Sequence, residues 1–395
     1  MCSARNTPPS RKAVSFKDVQ GTYSNSPGNG ILIAEGSAWK AQRTAGHSLT
    51  TPPTLKHFSS TTLSNHLSVL LDPLDTAAAS GETIDFEVVA MDYSLAVFGE
   101  LAFDADWKRM SSQFSQPFTD SSAGIARRFQ LPFYELIETL TEGGVKLRHD
   151  LDRVHEFARD LVQEALVEIR EKPDTDTEGF SGKGLLIKGL LEEGITDEEE
   201  LSDACLNFLT AGRDTTGQAI TWTLYLLLLN PSYFSLLDSD FSTEMTTSPL
   251  LENIINESLR LHPPVPIELL QNVSSSPILL PDGTVVLPSE QIMWSPYVMA
   301  RLPQLWGDDA AVFRPERWDS AANKKKTAFE NPVFHAGPRS CLGQPLARLE
   351  IAYAMREVLQ RYEFEMGWEG RRVVGDGLTG PVLGGLPVRV KRRGI

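Results

Sequence analysis

The stretch Phe334-His-Ala-Gly-Pro-Arg-Ser-Cys-Leu-Gly343 decides how the rest of this chain is interpreted. Cys341 stands between Gly337 and Gly343, and glycine permits positive φ angles and a close approach of the backbone to a flat ligand. Arg339 precedes the cysteine by two residues and is a permanent cation that can hold a carboxylate through paired hydrogen bonds. The stretch therefore predicts a pocket built around one thiolate.

The residues that follow predict a helix that begins just after Cys341. Pro345 suits a first helical turn, and apolar residues from Leu346 to Leu359 recur at roughly helical spacing. Free N–H groups and the helix dipole would then lower the pKa of the Cys341 thiol. A thiolate, an arginine and a flat approach lined by glycine suit an axial ligand of haem iron.

Composition sets broad limits on the chain. It has 395 residues, of which 41% are hydrophobic and 23% charged, enough for one large domain or two. The net charge of −15 argues against a nucleic-acid partner. Cys2, Cys205 and Cys341 form no CxxC pair, so neither a zinc site nor a disulfide framework is expected. We predict a disordered lead over residues 1–14 and a single domain over residues 15–395.

The cysteine stretch also carries a family resemblance. It matches the pattern F-x-x-G-x-R-x-C-x-G at every fixed position and resembles the cysteine-ligand loop of the cytochrome P450 haem-thiolate monooxygenases. The resemblance implies a mainly α fold with a small β portion, haem b as cofactor, Cys341 as the iron ligand and Arg339 at a haem propionate. By length, about a hundred N-terminal residues of the usual fold are expected to be missing, among them a membrane anchor.

A second motif lies inside a long predicted helix. Thr196-Asp-Glu-Glu199 predicts a capping box, and the helix should run to about Asn230. Ala211-Gly-Arg-Asp-Thr-Thr216 interrupts its apolar sequence, which alone fits either a local opening or merely a weak helix with a solvated aspartate. The motif resembles the family's oxygen groove, A-G-x-D-T-T. The resemblance implies a kink that admits dioxygen, with Thr215 as its hydrogen-bond partner and Asp214 as a proton relay.

Trp39 and Arg43 lie four residues apart and would share one helix face. By itself the pair is typical of a surface cation–π contact. Its context resembles the family's W-x-x-x-R helix, which implies that Trp39 and Arg43 contact a haem propionate.

Three further residues are predicted to lock the scaffold. Glu257 and Arg260 have the E-x-x-R spacing, which alone usually marks a weak surface pair. The following His262-Pro-Pro-Val and the later Pro315-Glu-Arg-Trp318 resemble the family's continuation. The resemblance implies a structural cluster of Glu257, Arg260 and Arg317 without a catalytic role.

The remaining elements are predicted from periodicity and turn residues. We expect helices over residues 82–103, 127–147 and 150–172, and a strand–turn–strand unit over residues 280–299. Val382–Val388 predicts a hairpin with a Gly-Gly turn, whose tip by resemblance points into a substrate pocket. The candidate pocket residues are apolar, as an aliphatic substrate requires: Phe208, Val265, Ile267 and Leu386.

The sequence most resembles eukaryotic fatty-acid and alkane hydroxylases. The resemblance implies insertion of one oxygen atom from O₂ into an aliphatic C–H bond, with electrons from an NADPH-dependent reductase, and association with the endoplasmic reticulum. Where many relatives offer an Arg or His to a propionate, this chain has Glu268-Leu-Leu-Gln271. The alternatives are a peroxygenase or isomerase, a truncated haem-thiolate protein with impaired catalysis, and a small-molecule-binding protein without chemistry.

Overall fold

The computed structural model describes residues 30–128, 134–171, 184–241, 248–375 and 377–394. The predicted lead over residues 1–14 lies outside these ranges. Helices dominate the described chain, and short 3₁₀ and π turns join several of them. The α-helices are α1 Gly36–Gly46, α2 Pro52–His57, α3 Leu63–Asn65, α4 Leu67–Ser80, α5 Phe86–Phe103, α6 Trp107–Met110, α7 Gln116–Arg128, α8 Tyr134–Leu140, α9 Glu142–Glu171, α10 Leu185–Glu192, α11 Glu198–Leu229, α12 Ser232–Phe241, α13 Pro249–Leu261, α14 Pro296–Met299, α15 Pro303–Trp306, α16 Ala321–Lys324 and α17 Gln344–Arg361.

Within the described residues, the β portion consists of three small antiparallel sheets. One has the order β1-β7-β6, the second pairs β2 with β5, and the third pairs β3 with β4. The mainly α prediction with a small β portion is therefore confirmed. The strands are β1 Ile84–Asp85, β2 Glu268–Gln271, β3 Ile278–Leu279, β4 Val285–Val286, β5 Gln291–Trp294, β6 Tyr362–Met366 and β7 Pro387–Arg392.

Helix α11 forms the centre of the fold. Every residue from Thr216 to Leu228 is buried, because this half of the helix packs against several other helices and is mostly apolar or small, with Gln218 as a buried polar exception. Its N-cap is Asp197, whose Oδ1 accepts the Glu200 N–H at 2.9 Å, so the predicted Thr196 capping box is displaced by one residue. The three glutamates in the first turn interact favourably with the positive end of the helix dipole and stabilise the helix.

Two of the predicted helices have different bounds. A break was expected between residues 147 and 150, but α9 runs unbroken through Arg148 and His149. Its apolar face continues across that point through the buried Leu147, Leu151 and Val154, and neither polar residue between them opposes helix formation.

The C-terminal hairpin lies earlier than predicted. Val374 pairs with Val382, and the Gly375 N–H donates to the Pro381 carbonyl at 2.7 Å. Gly384 and Gly385 both have positive φ angles, and they bend the chain from this hairpin into β7. The Gly-Gly pair is therefore a connector and not the hairpin tip.

Within the described ranges, no single helix has the length and apolar character needed to cross a bilayer. Helix α11 and residues Ser232–Ser239 meet that test only as a pair, on length and composition alone, and they are bent by 110°.

The Glu257 carboxylate lies at the centre of a fully buried charge cluster. Arg260 Nε and an Nη group donate to its two oxygens at 2.8 and 2.7 Å, and Arg317 Nε lies 3.4 Å away. The Arg314 N–H and the Trp318 indole also donate to it, at 3.0 and 3.1 Å. Removing one member of such a cluster leaves buried charges without compensation, so the cluster locks α13 to the segment after α15.

We predict that Glu257→Gln destabilises the protein by about 3–5 kcal/mol, because the buried Arg260 guanidinium loses its carboxylate partner and Arg317 keeps only its ion pair with Asp309. Thermal unfolding measured beside Glu252→Gln, an exposed position of the same helix, checks this. The control should change stability by no more than about 0.5 kcal/mol. Equal effects of the two substitutions would contradict the assigned role of the cluster.

Candidate active site

The loop that carries Cys341 is fixed by its own backbone. The Cys341 N–H donates to the Phe334 carbonyl at 2.8 Å, and Gly337 has a φ of +70°. Helix α17 begins three residues after the cysteine, as predicted. The thiol is solvent accessible and accepts hydrogen bonds from the backbone N–H groups of Gly343 and Gln344.

The pKa of the Cys341 thiol is raised, which contradicts the predicted direction. Desolvation by the surrounding protein is the largest effect, and the N–H groups of Gly343 and Gln344 oppose it. Arg43 lowers the pKa through its charge, whereas Glu268 raises it. The helix N-terminus acts as expected, but loss of hydration outweighs it in the free thiol. A bound metal ion deprotonates a coordinating thiol outright, so this pKa does not oppose ligation.

The predicted propionate residues gather beside this loop. The Trp39 ring lies between two cations, with the guanidinium carbon of Arg43 5.5 Å from its centroid and that of Arg339 4.6 Å away. Arg43 donates to the Ser340 carbonyl at 2.9 Å, and Arg339 donates to Glu35 at 3.0 Å. The structure thus brings Trp39, Arg43 and Arg339 together, although Arg339 already holds one protein carboxylate.

These residues fit a haem. An accessible thiol with two N–H donors offers an axial ligand, and two half-buried arginines next to it suit the carboxylates of the porphyrin. Gly46 of α1 brings the loop close to the long helix. A Cβ placed there would lie 2.6 Å from Leu342 Cδ2 and 2.8 Å from Phe208 Cζ. The Cys341 loop, α1 and α11 therefore meet at one point.

Asp214 and Thr215 have separate partners. The Asp214 carboxylate is buried and accepts from its neighbour Arg213 at 2.8 Å, and Arg213 also donates to Thr119 of α7 at 2.8 Å. Burial raises the pKa of Asp214, and the charge of Arg213 opposes that rise. The Thr215 hydroxyl donates to the Ala211 carbonyl at 2.7 Å. Sequence reasoning assigned no role to Arg213, although it lies inside the motif.

Helix α11 is continuous through this motif, so the predicted kink is not a break in the helix. Gly212 is required for helix packing and does not break the helix, because a Cβ there would lie 2.4 Å from the Phe98 ring of α5. The glycine permits close packing of two helices, and the Thr215 bond to Ala211 does not distinguish this site, since Thr210 and Thr221 make the same bond in the same helix.

Glu350 is a buried acid near Gly212 that sequence reasoning did not single out. Glu350 of α17 is 3% exposed, and burial raises its pKa to about 8, so it carries a proton at neutral pH. Ser94 Oγ lies 2.6 Å from Glu350 Oε1 and 3.3 Å from the Gly212 carbonyl oxygen. The available signal was its spacing, since Glu350 falls on the buried face between Leu346 and Ala354.

Glu268 lies near the cysteine in the position where relatives were expected to offer a cation. It pairs with Trp294 across β2 and β5, and the Trp294 ring packs edge-on against His335 at 5.3 Å. Burial raises the pKa of Glu268, and the charge of His335 opposes that rise. The Glu268 carboxyl group therefore lies close enough to His335 of the Cys341 loop for the charge of the imidazole to act on its pKa.

The candidate pocket residues do not share one environment. Phe208 is 7% exposed and packs at the junction with α1, and Val265 is half-buried. Ile267 is 53% exposed, whereas Leu386 is fully buried in the core. Leu386 packs in the hydrophobic core, and the hairpin tip lies earlier in the chain than predicted, so the place of Leu386 in the substrate pocket stays a prediction. Gly380, at that tip, bonds to the Pro264 carbonyl at 2.8 Å, next to Val265.

We predict that Glu268→Gln lowers the pKa of the Cys341 thiol and that Arg43→Gln raises it, because each change removes one charge that acts on the sulfur. The rate of Cys341 alkylation against pH, followed by peptide mass mapping of haem-free protein, measures both. Glu290→Gln, just before β5, is the control and should leave the profile in place. Shifts in the same direction for both variants would refute the electrostatic explanation.

We predict that Gly212→Ala destabilises the protein by about 1–3 kcal/mol, because the new methyl group overlaps the Phe98 ring. Gly143→Ala in α9 is the matched control, since the nearest atom to a Cβ there is 3.9 Å away. Thermal midpoints of both variants provide the comparison. A Gly212→Ala protein as stable as the control would show that α5 and α11 separate without cost.

Comparisons with known proteins agree with this geometry. The family model described as Cytochrome P450 matches residues 10–373. Cytochrome P450 CYP94D108 of Paris polyphylla is 30% identical over 399 residues, which cover 93% of this chain and 78% of that protein. Cytochrome P450 94A1 of Vicia sativa is 29% identical over 404 residues, which cover 94% of this chain and 76% of the relative.

The fold is shared with a solved structure as well. The crystal structure of a cytochrome P450 (CYP102L1) superposes with a TM-score of 0.75 at 18% sequence identity, covering 95% of this chain and 84% of that one. With a family match over most of its length, the chain belongs to the cytochrome P450 family, and it is a haem-thiolate monooxygenase that uses haem b, molecular oxygen and a redox-partner reductase.

Proposed function

We propose that this monooxygenase hydroxylates aliphatic C–H bonds of a fatty-acid-like or alkane-like substrate, with electrons from an NADPH-dependent reductase. The observation that carries the proposal is the accessible Cys341 thiol with its two backbone N–H donors, next to a helix that holds Asp214 and Thr215. The haem, when bound, supplies the oxygen-activating chemistry, and thiolate ligation favours O–O cleavage.

The residues of the chain have distinct tasks in this proposal. Cys341 binds the iron, while Trp39, Arg43 and Arg339 hold the propionates and thereby orient the ring. Asp214 moves protons, and its raised pKa lets it hold one at a higher pH than an exposed aspartate. Thr215 offers a hydroxyl one position further along the helix, on a side chain that is half-buried.

The aliphatic substrate class is supported by apolar side chains and by sequence resemblance. Phe208 and Val265 are apolar and lie near the Cys341 junction and the hairpin tip. Leu378, in that tip, is partly buried against the core and joins them as a candidate. The motif sequences resemble those of eukaryotic fatty-acid and alkane hydroxylases. Association with the endoplasmic reticulum stays a prediction from that resemblance.

A peroxygenase or isomerase is the second candidate, since it would use the same haem site without a reductase. The presence of both Asp214 and Thr215 favours activation of O₂, because proton delivery is needed for O–O cleavage. The alternative of a haem-thiolate protein with impaired catalysis predicts haem binding without product.

We expect the purified protein to form the carbon monoxide complex typical of thiolate-ligated ferrous haem, and Cys341→Ser to lose it. With NADPH and a heterologous reductase, wild-type protein should convert dodecanoic acid or dodecane to hydroxylated products, detected by mass spectrometry. Cys205→Ser, at a buried cysteine outside the Cys341 loop, is the control and should retain the spectrum.

Each outcome separates the candidates. Product from hydrogen peroxide but not from NADPH and reductase would identify a peroxygenase. A thiolate spectrum without any hydroxylated product would refute the aliphatic substrate class while leaving the family assignment intact.

A further inference from the structure

Glu87 is an acid near the oxygen-groove helix that the proposed function has not used. It lies in the first turn of α5, and its Oε1 accepts a hydrogen bond from Gln218 Nε2 of α11 at 2.7 Å. The same oxygen accepts the Val382 N–H of the C-terminal hairpin at 3.0 Å. Glu87 therefore joins three elements that surround the proposed site.

Gln218 holds this acid beside α11, the helix that also carries Asp214. The two residues are four apart on α11 and lie on one face of the helix. Gln218 is fully buried, and among the described residues its Oε1 has no hydrogen-bond partner. A buried acceptor without a donor is costly. A protonated carboxyl group, of Glu87 or of Asp214, could donate the hydrogen bond that Gln218 Oε1 lacks.

The charges around Glu87 make it an acid that keeps a proton near neutral pH. Burial raises its pKa to about 7, and the hydrogen bonds from Val382 and Gln218 oppose that rise. Asp85 on its own segment and Asp214 on α11 raise the pKa further, whereas the hairpin presents only the Val382 N–H. The nearest cation along the helix, Arg213, is paired with Asp214.

We propose that Glu87 holds the proton that replenishes Asp214 during oxygen reduction, and that Gln218 keeps Glu87 in place beside α11. This rests on the proposed relay role of Asp214. Glu87 does not touch the reacting atoms and acts through Asp214, so it is a positioning residue. Overall, the substrate C–H, O₂, two electrons from the reductase and two protons give the alcohol and water. Glu87 passes a proton inward and takes one back from solvent, which it reaches because it is only half-buried.

A purely structural role for Glu87 is the rival explanation, and Asp85 allows the two to be separated. Asp85 also clamps the C-terminal segment, since its Oδ1 accepts the Leu386 N–H at 2.8 Å and the Glu87 N–H at 3.0 Å. Among the described residues, Asp85 makes no hydrogen bond to α11. If Glu87 only holds the C-terminal segment in place, a substitution at Asp85 should have the same effect as one at Glu87. If Glu87 supplies protons, a substitution at Asp85 should not reproduce the effect.

The test compares Glu87→Gln with Asp85→Asn in haem-loaded protein, with NADPH, a heterologous reductase and dodecanoic acid. The measured quantity is the fraction of consumed electrons that leave as hydrogen peroxide, as a function of pH. We expect Glu87→Gln to raise this fraction several-fold below pH 7 and to flatten its pH dependence. Asp85→Asn keeps Glu87 but removes a charge that raises its pKa, so its peroxide fraction should stay pH-dependent, with the profile displaced to lower pH and without the flattening expected for Glu87→Gln. Gln218→Leu, which keeps both acids but removes the hydrogen bond that holds Glu87 beside α11, should behave like Glu87→Gln.

A second readout needs no turnover. Because the pKa of Glu87 lies above its ordinary value of 4.5, the folded protein binds this proton more tightly than the unfolded chain. Wild-type stability should then fall relative to Glu87→Gln as the pH rises from 4.5 to about 7. Thermal midpoints across this range measure the difference.

The outcomes are distinct. An unchanged peroxide fraction in Glu87→Gln, or an equal rise in Asp85→Asn, overturns the proposal. Absence of the stability difference also overturns it, since Glu87 would not titrate in this range. If wild-type protein consumes NADPH but forms no hydroxydodecanoic acid, the substrate class fails, whereas the comparison of peroxide fractions still decides the role of Glu87.

Discussion

The close antiparallel contact between α5 and α11 is the constraint on which the rest of the site depends. Gly212 and Gly217 permit it, because a Cβ at either position would lie within 2.6 Å of an α5 side chain, Phe98 or Met91. Interior glycines weaken a helix by about 1 kcal/mol each relative to alanine. The packing they allow places polar groups of α5 directly beside the oxygen groove.

The α5 residues in this contact are spaced three or four apart, as one face of a helix requires. Glu87 binds Gln218, Met91 covers Gly217, and Ser94 reaches the Gly212 carbonyl. Two of these three contacts are polar in an otherwise apolar interface. Buried polar groups of this kind are tolerated only when they are paired, and here they connect carboxyl groups to the groove. Helix packing and proton handling therefore share the same residues.

On the side of the Cys341 loop, the site depends on opposing effects on the pKa of the cysteine thiol. Desolvation raises the pKa of the Cys341 thiol, while two backbone N–H groups and Arg43 favour the thiolate. Glu268 acts against them from β2, at a position where a cation was expected. The Glu257 cluster lies further away and holds α13, which leads through a short segment into β2. Glu268 itself is positioned by the pairing of β2 with β5, where it lies opposite Trp294.

The sequence by itself determined the mainly α fold, the Cys341 loop and the long helix with Asp214, because these depend on local motifs and helical periodicity. It also predicted that Trp39, Arg43 and Arg339 belong together, and the structure places them around one ring. Only the tertiary structure decided the partners that come from distant segments, such as Glu87 with Gln218 and Ser94 with Glu350. The tertiary structure also showed that Leu386 is buried. It placed the hairpin turn earlier in the chain than predicted, because a Gly-Gly pair fits a hairpin tip and a bend between strands equally well. The direction of the Cys341 pKa shift likewise required the fold, because desolvation depends on every atom around the sulfur and not on the neighbouring residues in the chain.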